Sequence, residues 1–316
     1  MKLAPHCPVK YGFDAEKPPA VPNDNADSVV TGHFTASFDK RLWMFHRRWE
    51  PAPNTSIRAT LMIVHGTVDH SGAYKELARN LTAEGIAVVA MDMRGWGLSD
   101  GESMYVPDMN AFVEDVAHLY REIHALPRYT NVKPRFLLGK SLGGTVAAFT
   151  VATHPELWTG LAGLSGAFAL NPTIREPPSI VLTVLGLLAK VYPKMPFKTL
   201  FDEKLIVSDP KALEAWRDDP LCCKDKVRLG YVLTLLEAVK QVEESISAEI
   251  NVPLLMMCGE SDQVVTVSGH QMIIDKSRHT DKELRTYTGG YHNLLQEPAL
   301  KVQVMADIRA WILVHA

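Results

Sequence analysis

The sequence predicts an α/β protein: a mostly parallel, eight-stranded sheet covered by helices on both faces and interrupted by one helical insertion. Three observations predict it. Short apolar runs alternate with amphipathic segments along most of the chain, the pattern of strands buried on both faces. This alternation stops after Asn171-Pro172 and resumes at Pro253. The 316 residues, 47% hydrophobic and 22% charged, also suffice for one large core.

Residues 1–27, rich in Pro, Asn and Asp, read as an irregular arm. Strands at 29–38 and 41–49 flank Asp39-Lys40 as an antiparallel hairpin. An apolar strand at 60–64 precedes a helix at 73–84 closed by Gly85, and a strand at 86–91 precedes a long helix at 107–126. The next units are strand 135–138 with helix 142–154, then strand 161–164. Residues 173–248 show only helical patterns, at 179–191, 210–217 and 227–245, with Asp209 as N-cap and Pro210 at the first helical position. The rhythm returns with strand 253–258, helix 267–279, strand 283–287 and helix 298–314. The expected organisation is therefore a core of residues 28–172 and 249–316 carrying a helical cap, 173–248, after the sixth strand.

Composition narrows the function classes. A net charge of -3 with no dense Lys/Arg run gives no reason to expect a nucleic-acid partner. Cys7, Cys222, Cys223 and Cys258 form no disulfide framework and no metal-ligand spacing. Residues 1–8 lack the apolar core of a signal peptide, and no stretch is apolar enough to span a bilayer, so a cytoplasmic location is expected.

Chemistry concentrates at Ser141. It lies in Gly139-Lys140-Ser141-Leu142-Gly143, between an apolar strand and an Ala- and Val-rich helix, the context of a nucleophile elbow. Gly139 and Gly143 let neighbouring backbone pass close by. A serine hydroxyl needs a base oriented by a carboxylate, and on such elbows the order along the chain is Ser, acid, His. Asp262 follows the strand ending at Cys258, and His292, in Gly289-Gly290-Tyr291-His292, follows the last strand. Both are thus placed at strand C-terminal ends, where functional residues of open α/β sheets collect. The nearby Glu260 is expected to point elsewhere, His279 and His315 belong to helices, and Ser165 sits in an incomplete elbow. The oxyanion hole is expected from the N–H of Leu142 and that of Thr67, with His65 and Gly66 supporting the loop. His65 and His70 have no partner in a recognised zinc spacing, so neither a metal nor a cofactor is expected.

With these residues in view, the chain resembles the monoacylglycerol lipase and lysophospholipase group of α/β hydrolases, the serine-aminopeptidase-like hydrolases, over residues 35–315. The resemblance rests on His65-Gly66, Asp92-x-Arg94-Gly95-Trp96-Gly97-x-Ser99-x-Gly101, the elbow, Asp218-Asp219-Pro220-Leu221, Gly259-x-x-Asp262 and Tyr291-His292. It implies an α/β-hydrolase fold, Ser141 as nucleophile, Asp262 as orienting acid, His292 as base, and a cap over the site. Two departures stand out. The group's His-Gly-x-Gly-Glu-His is here His65-Gly66-Thr67-Val68-Asp69-His70, and its Gly-His-Gly is Gly95-Trp96-Gly97, expected to be a packing change.

The expected reaction is hydrolysis of a lipid carboxylic ester, foremost a monoacylglycerol, to fatty acid and glycerol through an acyl-Ser141. Lysophospholipase or short-chain carboxylesterase activity would use the same triad. A non-catalytic ligand-binding protein on this fold is the alternative of a different class. Helix 179–191 is apolar all round, which suits peripheral contact with membranes or lipid droplets through the cap, with Lys190 and Lys194 near the headgroups.

Overall fold

The computed structural model describes residues 13–14, 18–21, 30–106, 108–172, 179–197, 202–224 and 226–316. Apart from 13–14 and 18–21, the expected arm at 1–27 lies outside the described residues.

Eight strands form one sheet in the order β1-β2-β4-β3-β5-β6-β7-β8. They are β1 (Val30–Ala36), β2 (Trp43–Trp49), β3 (Ala59–Val64), β4 (Ile86–Met91), β5 (Arg135–Lys140), β6 (Gly160–Leu164), β7 (Leu254–Gly259) and β8 (Lys282–Tyr287). β2 runs antiparallel to both β1 and β4, while β3 to β8 are parallel. The parallel run brings the C-terminal ends of β3, β5, β6, β7 and β8 to one edge.

Strand alternation divides the core in two. On β3, Leu61 and Ile63 pack with Phe136, Leu138, Leu77, Ile308 and Trp311, beneath α1 (Lys75–Thr82) and the C-terminal α9 (Lys301–His315). Met62 and Val64 face the other way, with Leu137 of β5, toward Phe112, Val116 and Val146 of α2 (Met109–Ala125) and α3 (Leu142–Thr153). Every residue of β3, β4 and β7 is buried, which is why these strands read as unbroken apolar runs.

Between β6 and β7 lie α4 (Ser179–Val191), α5 (Pro210–Asp218), α6 (Leu229–Gln241) and the single turn α7 (Ser247–Glu249); α8 (Val267–Lys276) follows β7. We refer to α4 to α6 and their connections as the cap segment. Asp209 caps α5 by accepting the Ala212 N–H at 2.8 Å, with Pro210 following it.

Several elements differ from expectation. The helix expected at 73–84 splits into a tight turn, Ser71–Tyr74, and α1, because the His70 side chain accepts the Gly72 N–H and starts the turn early. The helix expected over 227–245 stops at Gln241 and widens into a π-helical turn, Val242–Ile246. There the Ser247 hydroxyl bonds back to the Val242 carbonyl, a competition with the helix ladder that periodicity does not record. Among the described residues, no helix is long and apolar enough to cross a membrane.

Candidate active site

The site forms where β5 turns into α3. Ser141 occupies that turn with φ 52° and ψ -121°, a left-handed conformation that costs energy for any residue with a side chain. Backbone crowding holds it there. A Cβ on Gly143 would lie 2.0 Å from the Val64 carbonyl oxygen, and one on Gly139 would lie 2.1 Å from the Gly143 carbonyl oxygen. The two glycines thus let α3 begin directly against the ends of β3 and β5. The Ser141 N–H donates to Leu164 O at 3.1 Å, and its own carbonyl accepts the Ala167 N–H at 2.9 Å.

From this turn a hydrogen-bonded line runs across the strand ends. Ser141 Oγ donates to His292 Nε2 at 2.9 Å, and His292 Nδ1 donates to Asp262 Oδ2 at 2.9 Å. Asp262 Oδ1 accepts the Val264 and Val265 N–H groups at 2.8 and 3.0 Å, which orients the carboxylate from behind. Burial alone would raise the Asp262 carboxyl. The facing imidazole and the two N–H donors outweigh it and hold the group below its ordinary range. Asp262 therefore stays ionised while it fixes the proton on Nδ1, leaving Nε2 free to accept from the serine. Such a line can take the Ser141 proton as Oγ attacks a carbonyl.

The loop after β3 lies against Ser141; a Cβ on Gly66 would be 3.1 Å from Ser141 Cβ. Side-chain donors hold this loop one peptide at a time. His65 Nε2 accepts the Met93 N–H at 3.0 Å, so Nδ1 carries the proton and donates to Gly66 O at 2.7 Å. Burial keeps His65 neutral by lowering its imidazole. Gly66 O and the Thr67 N–H belong to one planar peptide and point in opposite directions. Fixing the carbonyl therefore aims the Thr67 N–H. Trp96 Nε1 donates to Thr67 O and Trp216 Nε1 donates to Val68 O. Trp96, expected only as a packing change, is thus also a hydrogen-bond donor to this loop.

Two charged pairs flank the loop. Lys140 Nζ lies 2.9 Å from Asp69 Oδ2, with both side chains buried and Tyr74 OH donating to the same oxygen. Burial alone would raise the Asp69 carboxyl, but the Lys140 ammonium beside it holds it down at about 2. His70 Nε2 donates to Asp219 Oδ2 of the cap segment at 3.0 Å. His70, Asp219 and Cys222 bring metal-ligand atom types within 4.8 Å of one another. His70 Nδ1 accepts the Gly72 N–H at 3.1 Å, so Nε2, the nitrogen that faces Asp219, carries the proton. The cluster is a hydrogen-bonded pair beside a thiol whose pKa burial pushes up.

The rival residues fall elsewhere. Glu260 accepts the Thr286 and Thr288 hydroxyls, both at 2.9 Å. His315 bonds Asp281, and Ser165 is fully buried at φ 45°. Sequence reasoning missed Lys140, Asp69, Trp216 and Tyr231 as parts of the site. A lysine inside a buried strand-to-helix turn was the one available signal, since such a charge requires a partner.

The sequence profile of the family described as serine aminopeptidase, S33, matches residues 55–299. The chain belongs to this family. Among its relatives, human monoglyceride lipase is 30% identical over 271 residues, covering 85% of this chain and 86% of its own. The monoacylglycerol lipase of Mycolicibacterium smegmatis is 30% identical over 264 residues, covering 83% of this chain and 91% of its own. The solved structure of a soluble variant of Saccharomyces cerevisiae monoglyceride lipase, bound to a substrate analogue, shares the fold with TM-score 0.80. It is 21% identical, with 94% of this chain and 99% of that one covered.

Two consequences can be measured. Gly143→Ala is expected to lose more than about 4 kcal/mol of stability in urea unfolding, because its Cβ meets backbone rather than a movable side chain. A carboxyl held below its ordinary 3.8 favours the folded state wherever it is ionised. The Asp69 contribution is therefore complete above about pH 5 and lost as pH falls toward about 2. Asp69→Asn should lower stability at neutral pH and flatten the acid limb of the unfolding midpoint measured against pH.

Proposed function

We propose that this serine ester hydrolase cleaves monoacylglycerols to fatty acid and glycerol. The observation that carries the chemistry is the Asp262–His292–Ser141 line, 2.9 Å at each step, at the crowded turn opening α3. His292 Nε2 takes the Ser141 proton as Oγ bonds to the acyl carbon. The carbonyl oxygen gains negative charge and accepts hydrogen bonds from the N–H groups of Thr67 and Leu142; Leu142 adds the N-terminal field of α3. The C–O bond to glycerol then breaks, and the imidazolium returns its proton to the leaving alkoxide. Water, deprotonated by His292, then adds to the acyl carbon; the bond to Ser141 Oγ breaks, His292 returns the proton to Oγ, and the fatty acid is released. Asp262 keeps the imidazole in one tautomer and stabilises the imidazolium.

The choice of substrate draws on the monoacylglycerol lipases among the relatives and on the charge state of the site wall. Lys140 is bound to Asp69 and is not offered to a phosphate, which favours a neutral alcohol over a lysophospholipid headgroup.

The cap segment also carries an exposed apolar surface. Along α4 and just beyond, Val181, Val184, Leu187, Val191 and Tyr192 are 41%, 58%, 59%, 68% and 61% exposed. Spacings of three and four residues put Val181, Val184, Leu187 and Val191 on one face. Lys190 is exposed at its end, whereas Lys194 bonds Glu102 at 3.2 Å. This face suits peripheral contact with a bilayer from which a single-chain lipid is drawn.

Ser141→Ala should lower turnover of a monoacylglycerol at least about a thousandfold and abolish fluorophosphonate labelling, with the thermal midpoint unchanged. Wild-type kcat/KM should favour a long-chain monoacylglycerol over the matching lysophospholipid by about tenfold or more, about 1.4 kcal/mol; the reverse order would assign a lysophospholipase. Wild-type protein should co-sediment with phosphatidylcholine vesicles and Val184→Asp/Leu187→Asp should not. Equal recovery of the two in the pellet would remove α4 as the contact.

A further inference from the structure

The hydroxyl of Tyr231, on α6, lies 2.6 Å from Thr67 Oγ1, and both groups are buried. We infer that Tyr231 is a positioning residue for the oxyanion hole, through which the cap segment fixes the loop carrying the Thr67 N–H. The inference rests on the reading of Thr67 as an oxyanion donor.

Among the described residues, three of the cap segment hydrogen-bond to this loop, and they differ in what they touch. Trp216 bonds the carbonyl of Val68, and Asp219 bonds the ring of His70. Tyr231 alone among these three bonds Thr67 itself. The Thr67 backbone is already aimed on both sides, by His65 through Gly66 O and by Trp96 through Thr67 O. Its side chain is the remaining handle, and the Tyr231 hydroxyl holds it.

The tyrosine is well placed to act as a fixed point. Its ring is 1% exposed and packs against Trp96 with centroids 5.8 Å apart. The two groups that bond Thr67, an indole N–H on its carbonyl and a phenol on its hydroxyl, therefore brace each other. Trp96 in turn packs on Phe112 of α2 at 5.8 Å, so the brace is continuous with the core. Removing only the hydroxyl leaves this ring packing in place and orphans the buried Thr67 hydroxyl, which can then rotate and shift its loop. An oxyanion donor displaced by a fraction of an ångström loses value only when charge has developed on the substrate oxygen. The loss should therefore fall on kcat rather than on KM.

The test compares wild type, Tyr231→Phe, Thr67→Val and the double variant with p-nitrophenyl butyrate and with a trifluoromethyl ketone that captures the serine as a tetrahedral adduct. Tyr231→Phe should lower kcat roughly tenfold with KM within about twofold, and weaken the ketone by the same factor as kcat/KM. The double variant should be no worse than the worse single variant, since both remove one bond. A Tyr231→Phe kcat within about twofold of wild type overturns the inference, as does an effect confined to KM or to the thermal midpoint, or losses that multiply in the double variant. Fluorophosphonate labelling of wild type separates the two levels. Failure to label defeats the esterase reading, whereas labelling with an unchanged Tyr231→Phe kcat defeats only the role of Tyr231.

Discussion

The close approach of backbone to backbone where β5 enters α3 is the contact on which the rest of the site depends. Ser141 cannot reach its left-handed turn unless Gly139 and Gly143 carry no side chains, because the Gly143 and Val64 carbonyls occupy the space a Cβ would need. A residue held in such a conformation costs about 1–3 kcal/mol, and the cost is met by the fully buried sheet around it. The reward is geometric. The serine is lifted above the strand ends, the first helical N–H groups lie beneath it, and the β3 loop lies directly against it.

Around this turn, buried charge is neutralised locally. Asp262 faces His292, Asp69 faces Lys140, and in the next loop Arg94 forms a two-point contact with Asp115 at 2.6 and 2.9 Å. Buried pairs of this kind add little net stability, yet losing one partner costs about 3–5 kcal/mol. They therefore act mainly to exclude other arrangements. Lys140 directly precedes Ser141, and Asp69 lies two residues after Thr67, so one ion pair ties the elbow to the opposite wall of the site.

Much of this was legible in the sequence where local pattern and chain order carry the information. Ser141, Asp262 and His292 each follow closely on the end of a strand, and parallel strands must bring such ends to one edge. Contacts across the cap were not legible. Thr67 and Tyr231 are separated by 164 residues, and neither hydroxyl differs locally from an ordinary surface group. Trp216 reads as a core aromatic and gives no hint that its indole N–H is spent on Val68 O. On α4 apolar residues occupy all faces, so periodicity could not say which would be exposed; packing decides, leaving Val184, Leu187 and Val191 outward. The breaks at Ser71 and at Val242 come from side-chain bonds to backbone, which compete with helix without altering the hydrophobic pattern.

The cap segment is also tied to the loop that carries His292. The Asn293 N–H donates to Ile206 O at 2.7 Å, and Ser208 bonds buried Glu297 through its N–H and its hydroxyl at 2.7 and 2.5 Å. Ile206, Ser208, Trp216, Asp219 and Tyr231 thus grip both the base-bearing loop and the oxyanion loop, while α4, packed on α6, leaves its outer face bare. The insertion is consequently not an exchangeable module. A graft from a relative could replace α4 and redirect the enzyme to a different surface. A graft that replaced residues 206–231 would have to bring its own equivalents of these bonds, or the two loops would keep only the bonds that reach them from the core.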